Sequence, residues 1–529
     1  MLYKPILRQY ARRKKFIANG VHFQQLLNMT KSQLQNLTSG RILARNTIYS
    51  LIGQGAPLLV AVFAIPQLLK GLGTDRFGIL TLAWMVLSYF SLFDLGLGRA
   101  LTQLVAEKLG QESGEEEIPA LVGTASFLML ILGLVGTLVF VTLSPAIVYN
   151  VLKIPTELQS ETVVAFYLLS ASVPLVTSTA GTVGILSALQ RFDLINAVRI
   201  PLGLLMFLGP VLVLPFSHSL VPVITVLLAV RFLAWGIYIW LCLHAMPALQ
   251  HQIKFKKALL VPLLKFGGWM TVTNIVSPLM VYMDRFLIGG LISVTAVAYY
   301  TTPYEVVTKL WLISSSLVSV LFPAFSTSFV QEPLRAKQMF NRGVKYIFLI
   351  LFPITLIIIT FANEGLTLWI GKDFAQNSTL VLQWLAVGVL INSLAQVPFA
   401  LIQGVGRPDI TAKFHFIELP FYLLILWKFT TAFGIVGASY AWVLRTMIDT
   451  ILLFYIASRF IPNNKSLMQF MGFAIGVTVF MLALATLKLE LYTKGIYCVF
   501  TLLAFVVTTW FILLETDERT MIKKKLKAV

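Results

Sequence analysis

The sequence predicts an all-α polytopic membrane protein of about 14 transmembrane helices. They are expected to form two six-helix lobes related by a pseudo-twofold axis along the membrane normal, plus two extra C-terminal helices. Three observations predict this. Of 529 residues, 58% are hydrophobic and only 12% charged, whereas a soluble domain carries about a quarter charged residues. From Leu43 onward, apolar runs of about 18–30 residues alternate with short polar breaks, each run long enough to span a bilayer. Finally, an Arg-x-Asp pattern recurs 216 residues apart at equivalent breaks.

Residues 1–42 read as a basic cytosolic leader, with Lys4, Arg8, Arg12, Arg13, Lys14, Lys15, Lys31 and Arg41 and no acid before Asp75. No apolar run follows the basic residues closely enough for a cleavable signal peptide. Ile6, Leu7 and Tyr10 have the spacing of an interfacial helix; a start at Met29, leaving a shorter leader, fits as well. The N-terminal lobe, 43–246, holds spans near 43–69, 78–98, 119–144, 161–186, 197–215 and 222–246. A cytosolic linker at 247–261 leads to the C-terminal lobe, 262–459. Its spans lie near 262–289, 296–328, 344–362, 378–403, 412–430 and 435–459. Residues 460–515 supply accessory spans near 468–487 and 495–514, and 516–529 form a basic cytosolic tail.

Orientation follows from the basic residues, which collect in cytoplasmic loops. Of 41 Lys and Arg, 30 fall on the side of the leader, seven on the opposite side and four inside spans. Both termini are therefore expected in the cytoplasm. The net charge of +19 reports this asymmetry and not nucleic-acid binding.

The composition excludes a soluble enzyme, and no GxxxxGK[ST] phosphate loop is present to drive an ATP-powered pump. Gly71-Leu72-Gly73 and Gly404-Val405-Gly406 lack a third glycine and read as turns. Cys242 and Cys498 lie far apart in apolar runs, so they form no CxxC site. The five histidines show no ligand spacing, and neither a metal nor a cofactor is expected.

The repeat rests on Arg191-Phe192-Asp193 and Arg407-Pro408-Asp409, separated by six spans on the same side, with Pro57 and Pro278 in the matching first spans. An even-numbered repeat keeps its orientation, which places a central site between the halves. The Arg-x-Asp pairs are expected to tie loops or cap the spans that follow, and Glu115-Glu116-Glu117 to be solvated surface.

Further residues carry a family resemblance. Asn46-Thr47 opening the first span, Leu72-Gly73 before Phe77-Gly78, and Phe93-Asp94-Leu95-Gly96-Leu97-Gly98 ending the second resemble the Wzx-like polysaccharide flippases. These belong to the multidrug/oligosaccharidyl-lipid/polysaccharide exporter superfamily. Phe266-Gly267-Gly268-Trp269 and Asp284-Arg285 in the seventh span are similar too, and the likeness covers about residues 41–515. The resemblance implies two lobes around a cavity that opens alternately to each side. It also implies export of a polyprenyl-pyrophosphate-linked oligosaccharide, such as an O-antigen repeat unit, across a bacterial inner membrane. Expected partners are that lipid-linked oligosaccharide, membrane lipids and other polysaccharide-assembly membrane proteins.

Read from the residues themselves, Gly73, Gly78, Gly96 and Gly98 permit tight turns and close helix approach. Asp94, with Arg99 near the expected end of the second span, reads as a conformational latch or cap. Ionisable groups inside spans are Arg231, Asp284, Arg285, Glu305, Lys309, Glu418, Arg445 and Asp449. Each costs at least about 2.5–3.5 kcal/mol at the bilayer centre, so each needs a partner or a wet cavity. Glu305/Lys309 and Arg445/Asp449 are i,i+4 pairs that can neutralise themselves, and bridges and cavity lining remain alternatives for them. Asp284 and Arg285 point about 100° apart and Arg231 has no acid on its own span. Arg231 and Arg285 are therefore the leading anion ligands, since guanidinium grips phosphate bidentately.

Lys309 and Arg445 are expected to add to the substrate site, with Asn46, Gln54 and Asn274 meeting sugar hydroxyls. Asp94, Asp284, Glu305 and Asp449 are the candidate gating or coupling acids. Trp269, Trp311, Trp369 and Trp384 fit interfacial anchors and sugar platforms equally. A drug or cation antiporter of the same superfamily is the alternative transporter, disfavoured by the arginines. A membrane polymerase or acyltransferase is disfavoured by the short loops.

Overall fold

The structure, a computed structural model, describes residues 40–109, 115–189, 191–250, 254–261, 263, 280, 282–331, 333–461, 476, 490–514 and 518–520. Among these, nearly all the backbone is helical. In chain order the α-helices are α1 (Gly40–Tyr89), α2 (Leu97–Leu109), α3 (Ile118–Ala146), α4 (Thr156–Ser170), α5 (Val173–Ala188), α6 (Phe192–Val213) and α7 (Leu220–Ala245). After these come α8 (282–291), α9 (Val294–Val307), α10 (Trp311–Gln331), α11 (Pro333–Thr360), α12 (Ala362–Trp369), α13 (Lys372–Gly404), α14 (Pro408–Phe460) and α15 (Leu491–Thr508). Eight helical stretches among the described residues are long and apolar enough to cross a membrane, and this is a multi-pass membrane protein. Its exposed surface is correspondingly apolar: Leu134, Leu138, Leu212, Trp240 and Phe500 all lie open.

Two of the helices are each divided into two legs by a turn. Helix α1 changes direction at Gly73, where φ is +77°, and α14 at Gly434, where φ is +62°; a side chain would make either conformation costly. Across the second turn His415 meets Asp449 and Glu418 meets Arg445. These pairs are nearly centred on the turn, so the two legs of α14 run antiparallel as neighbours. The expected spans at 412–430 and 435–459 are those legs.

The expected second span, near 78–98, ends where the structure interrupts the helix. A 3-10 turn at Phe90–Asp94 and positive φ at Leu95 and Gly96 interrupt the helix, which resumes as α2 and runs to Leu109. The Asp94 carboxylate accepts the Gly96 N–H at 2.7 Å, so the acid caps the restarted helix, one of the two roles expected of it. The corresponding place in the second half has a 3-10 turn at Thr308–Leu310 between α9 and α10.

The two Arg-x-Asp turns have matching geometry. Arg191 donates from Nε and Nη2 to Asp193 at 3.0 and 2.9 Å. Arg407 does the same to Asp409 at 2.9 and 3.1 Å. In both, the Arg amide bonds a carbonyl five residues earlier, Leu186 at 2.9 Å and Ile402 at 3.1 Å. Each pair stands at the start of the next helix, α6 or α14, where the carboxylate favours the positive helix end.

Buried apolar side chains divide unequally. One group joins Ala61–Leu227 to Ile288–Val443 and so crosses the sequence midpoint. Three others stay within 97–263, 321–505 and 395–453. The shared group lies toward the face that carries Gly73, Lys153, Ile292 and Gly371. There Gly78 passes so close to α9 that a Cβ would stand 1.9 Å from the Val294 carbonyl oxygen. Lys153 Nζ donates to Leu291 O at 2.5 Å and its amide to Gly289 O at 2.9 Å. Thr295 donates to Asp75, and Trp369 Nε1 to Val62 O at 2.6 Å.

Helix α15 packs beside α11 through Phe505 on Phe348 and Phe352, the nearer ring centroids 4.7 Å apart. It is tied at both ends. Lys494 pairs with Glu364 at 2.8 Å, and beyond the far end Glu518 pairs with Lys345 at 2.5 Å and accepts from Tyr346 at 2.7 Å. Apart from Gly476, the expected span at 468–487 lies outside the described residues.

Candidate functional site

Seven of the eight ionisable groups expected inside spans gather into two groups, and Arg231 stands apart. In the first, Asp284 is fully buried and Arg285 is 1% exposed. Asp284 Oδ1 accepts the Arg285 amide at 2.8 Å and Nη1 at 3.2 Å, while Oδ2 accepts the Tyr300 hydroxyl at 2.7 Å. The expectation that adjacent residues could not meet is corrected here. Their Cβ atoms diverge, but the long Arg side chain folds back to its neighbour. The guanidinium also lies 4.2 Å from the Tyr304 ring centre and 5.2 Å from that of Tyr282, where cation–π attraction helps offset lost hydration.

From Arg285 the charges continue outward in alternating sign. Glu305 lies 3.8 Å from Arg285 and 3.2 Å from Lys309. Glu305 and Lys309 are both nearly half exposed. They line a small cavity of about 60 Å³ with Pro57, Ala61, Val62 and Ile65 of α1, Phe207 of α6, Val306 and Trp369. The cavity therefore lies between the two halves of the chain. Lys309 reaches it; Arg285 does not, because its guanidinium is enclosed by Asp284 and the tyrosines.

The second group lies between the legs of α14. The expected Arg445–Asp449 bridge is not formed. Arg445 Nε instead donates to Glu418 Oε1 at 3.2 Å, and His415 Nε2 lies 3.8 Å from Asp449 Oδ1. Spacing along one helix cannot exclude a better-placed acid on the opposite leg, and Glu418 is that acid. Arg445 also stands 5.3 Å over the buried Tyr422 ring. His415 was missed in the sequence because its neighbours are 3 and 34 positions away.

Arg231 of α7 is partly exposed, and its buried Nε has no hydrogen-bond partner among the described residues. Asn46 and Gln54 fall where only the backbone of α1 is described, and Asn274 and Trp269 lie outside the described residues. Of the other tryptophans, Trp311 joins Tyr304 and Trp442 in an aromatic core. Trp369 lines the cavity, and Trp384 stacks edge-on with Tyr440 at 4.7 Å.

Residues 71–379 match the family described as "Polysaccharide biosynthesis protein". Over 415 residues the chain is 29% identical to the "Putative O-antigen transporter" of Shigella flexneri, covering 78% of this chain and 97% of that one. In fold it is similar to the lipid II flippase MurJ in an inward closed conformation. That match has a TM-score of 0.67 and 12% identity, covering 88% of this chain and 100% of the other. A MATE family multidrug transporter of the MOP superfamily, in an inward-facing conformation, matches with a TM-score of 0.64 at 15% identity. It covers 79% of this chain and 99% of the other.

Proposed function

The chain belongs to the polysaccharide biosynthesis protein family, and from that premise we propose that it is a flippase for a polyprenyl-pyrophosphate-linked oligosaccharide, working by alternating access. The observation that carries this reading is the likeness to the Shigella flexneri transporter across 97% of that protein's length. The cavity between the halves supports it, since Lys309 offers an ammonium to an anion there. The reading is that of a transporter and not an enzyme.

Fourteen spans, two six-helix lobes and cytoplasmic termini belong to the same proposal. The matching Arg-x-Asp turns and the matching 3-10 interruptions support a duplicated half. With the Arg191 and Arg407 turns in the cytoplasm, the face that carries Gly73 and Lys153 is the outer one of a bacterial inner membrane. The halves share apolar packing toward that face, which corresponds to a state closed outward.

Within the cavity, a pyrophosphate must exchange its hydration for protein donors without being trapped. Lys309 is the donor in reach, and Glu305 holds it through an ion pair exposed enough to open. An arriving anion takes Lys309, and Glu305 then retains Arg285 as its counter-charge. Arg231, with its buried Nε unpartnered among the described residues, is the second cation assigned to the head group.

The test is reconstitution. Proteoliposomes carrying the protein and a fluorescent polyprenyl-pyrophosphate oligosaccharide should expose internal-leaflet sugar to an external glycosidase faster than protein-free vesicles. Lys309→Gln and Arg231→Gln should slow this at least about tenfold, the scale of one lost charge-assisted contact. Flipping no faster than in protein-free vesicles would overturn the proposal.

A further inference from the structure

The two charge groups differ in their balance. Asp284, Arg285, Glu305 and Lys309 sum to zero. Glu418, Asp449 and Arg445 leave one negative charge when His415 is neutral. An uncompensated buried charge is costly, so the legs of α14 favour a further positive charge, whether a proton or a metal ion.

The side chains there are arranged to receive one. His415 and Glu418 stand one turn apart on the first leg, and Asp449 faces them from the second. One ligand atom from each lies within 4.8 Å of the other two. Arg445 occupies only one oxygen of Glu418. The other, Oε2, is buried without a hydrogen-bond partner among the described residues, as is the Tyr422 hydroxyl one turn further on. The His415 ring stacks against Phe399, the planes 17° apart, which restricts its orientation.

We propose that His415, Glu418 and Asp449 form a binding site for a divalent transition-metal ion. An imidazole with two carboxylates suits first-row divalent ions, whereas alkali and alkaline-earth ions prefer all-oxygen shells. The ion ties the two legs of α14 together and competes with Arg445 for Glu418. Metal binding thus loosens the hold of Glu418 on the Arg445 guanidinium.

The test uses the full chain in lipid nanodiscs, freed of any affinity tag and of metal by chelation. Titration with Co2+ should give a visible ligand-field band saturating at a single ion per chain and abolished by Zn2+. His415→Ala and Asp449→Asn should each weaken binding by more than about a hundredfold, beyond the roughly 10–100-fold that an outer-shell change usually costs. Arg445→Gln should tighten it, because it releases Glu418; a variant that binds better than the parent is also shown to be folded. His415→Gln, with unchanged size-exclusion elution, controls for misfolding of the alanine variant. No Co2+ band in the parent protein, as expected if a proton on His415 alone balances the charge, would overturn the site. So would a band indifferent to both His415→Ala and Asp449→Asn.

Discussion

Asp284→Asn should destabilise the protein strongly, and the loss should be recovered by removing Arg285 as well. The carboxylate is fully buried and has three donors, the Arg285 amide, Arg285 Nη1 and the Tyr300 hydroxyl. At 3.2 Å and an effective dielectric of about 20, its attraction to the guanidinium is about 5 kcal/mol. Removing one partner of such a buried pair typically costs about 3–5 kcal/mol, because the remaining charge stays desolvated. Here Glu305 at 3.8 Å and the Tyr304 ring compensate part of it, so about 3 kcal/mol is the expected cost. The double change Asp284→Asn, Arg285→Met replaces the pair with groups of similar volume and should regain most of that stability. The assay is thermal melting of detergent-purified protein by fluorescence-detected size exclusion. An Asp284→Asn variant that melts like the parent, or a double variant that melts as early as the single, would refute the reasoning. If the stable double variant also flips substrate, Arg285 is a framework residue and not an anion ligand.

Other expectations follow from the same contacts. Asp75→Cys with Thr295→Cys should crosslink readily in oxidised membranes, and Gly78→Ala should slow that crosslinking, because the added Cβ would displace α9 at a cost of about 1–3 kcal/mol; unchanged crosslinking would mean that the close approach is absent. Glu418→Gln should lower thermal stability by about 3 kcal/mol by stranding Arg445, whereas Asp449→Asn should not strand it; equal losses in melting would restore the Arg445–Asp449 pairing. Cysteines at Glu115 and Asp373 should label from opposite sides of the membrane, and labelling from one side would change the number of spans between them. Lys494→Ala with Glu518→Gln should loosen α15 and speed proteolysis near residue 514, and a digestion pattern like the parent's would show that Phe505 packing suffices.

Periodicity and length made the helices legible, because a chain in lipid must satisfy its backbone within each span. Their ends were less so. Phe93–Gly98 looked like a terminus, since two glycines and an aspartate usually mark one. The Asp94 carboxylate also supplies the acceptor that lets the helix restart. The Arg-x-Asp turns were readable, as both partners lie two residues apart. The charge partners were not. Glu418 with Arg445 and His415 with Asp449 depend on two legs lying side by side, and i,i+4 spacing carries no information about that. Arg285 shows a second limit: its charge suggested a ligand, but only burial reveals whether a guanidinium faces solvent.

The uneven sharing of the apolar core has a thermal consequence. Parting the halves at the Gly73 face exposes apolar packing that now belongs to both, with Phe77 and Val297 among it, whereas the opposite face has separate cores within each half. Hydrating buried apolar surface raises heat capacity by about 0.45 cal/K/mol for each Å². The free energy of opening toward the Gly73 face should therefore curve with temperature instead of varying linearly. Its enthalpy should grow on warming, and a van't Hoff plot of crosslink-reported closure should bend accordingly. A cell that cools would find this step changing differently from the binding of the head group, whose polar surface changes the heat capacity in the opposite sense.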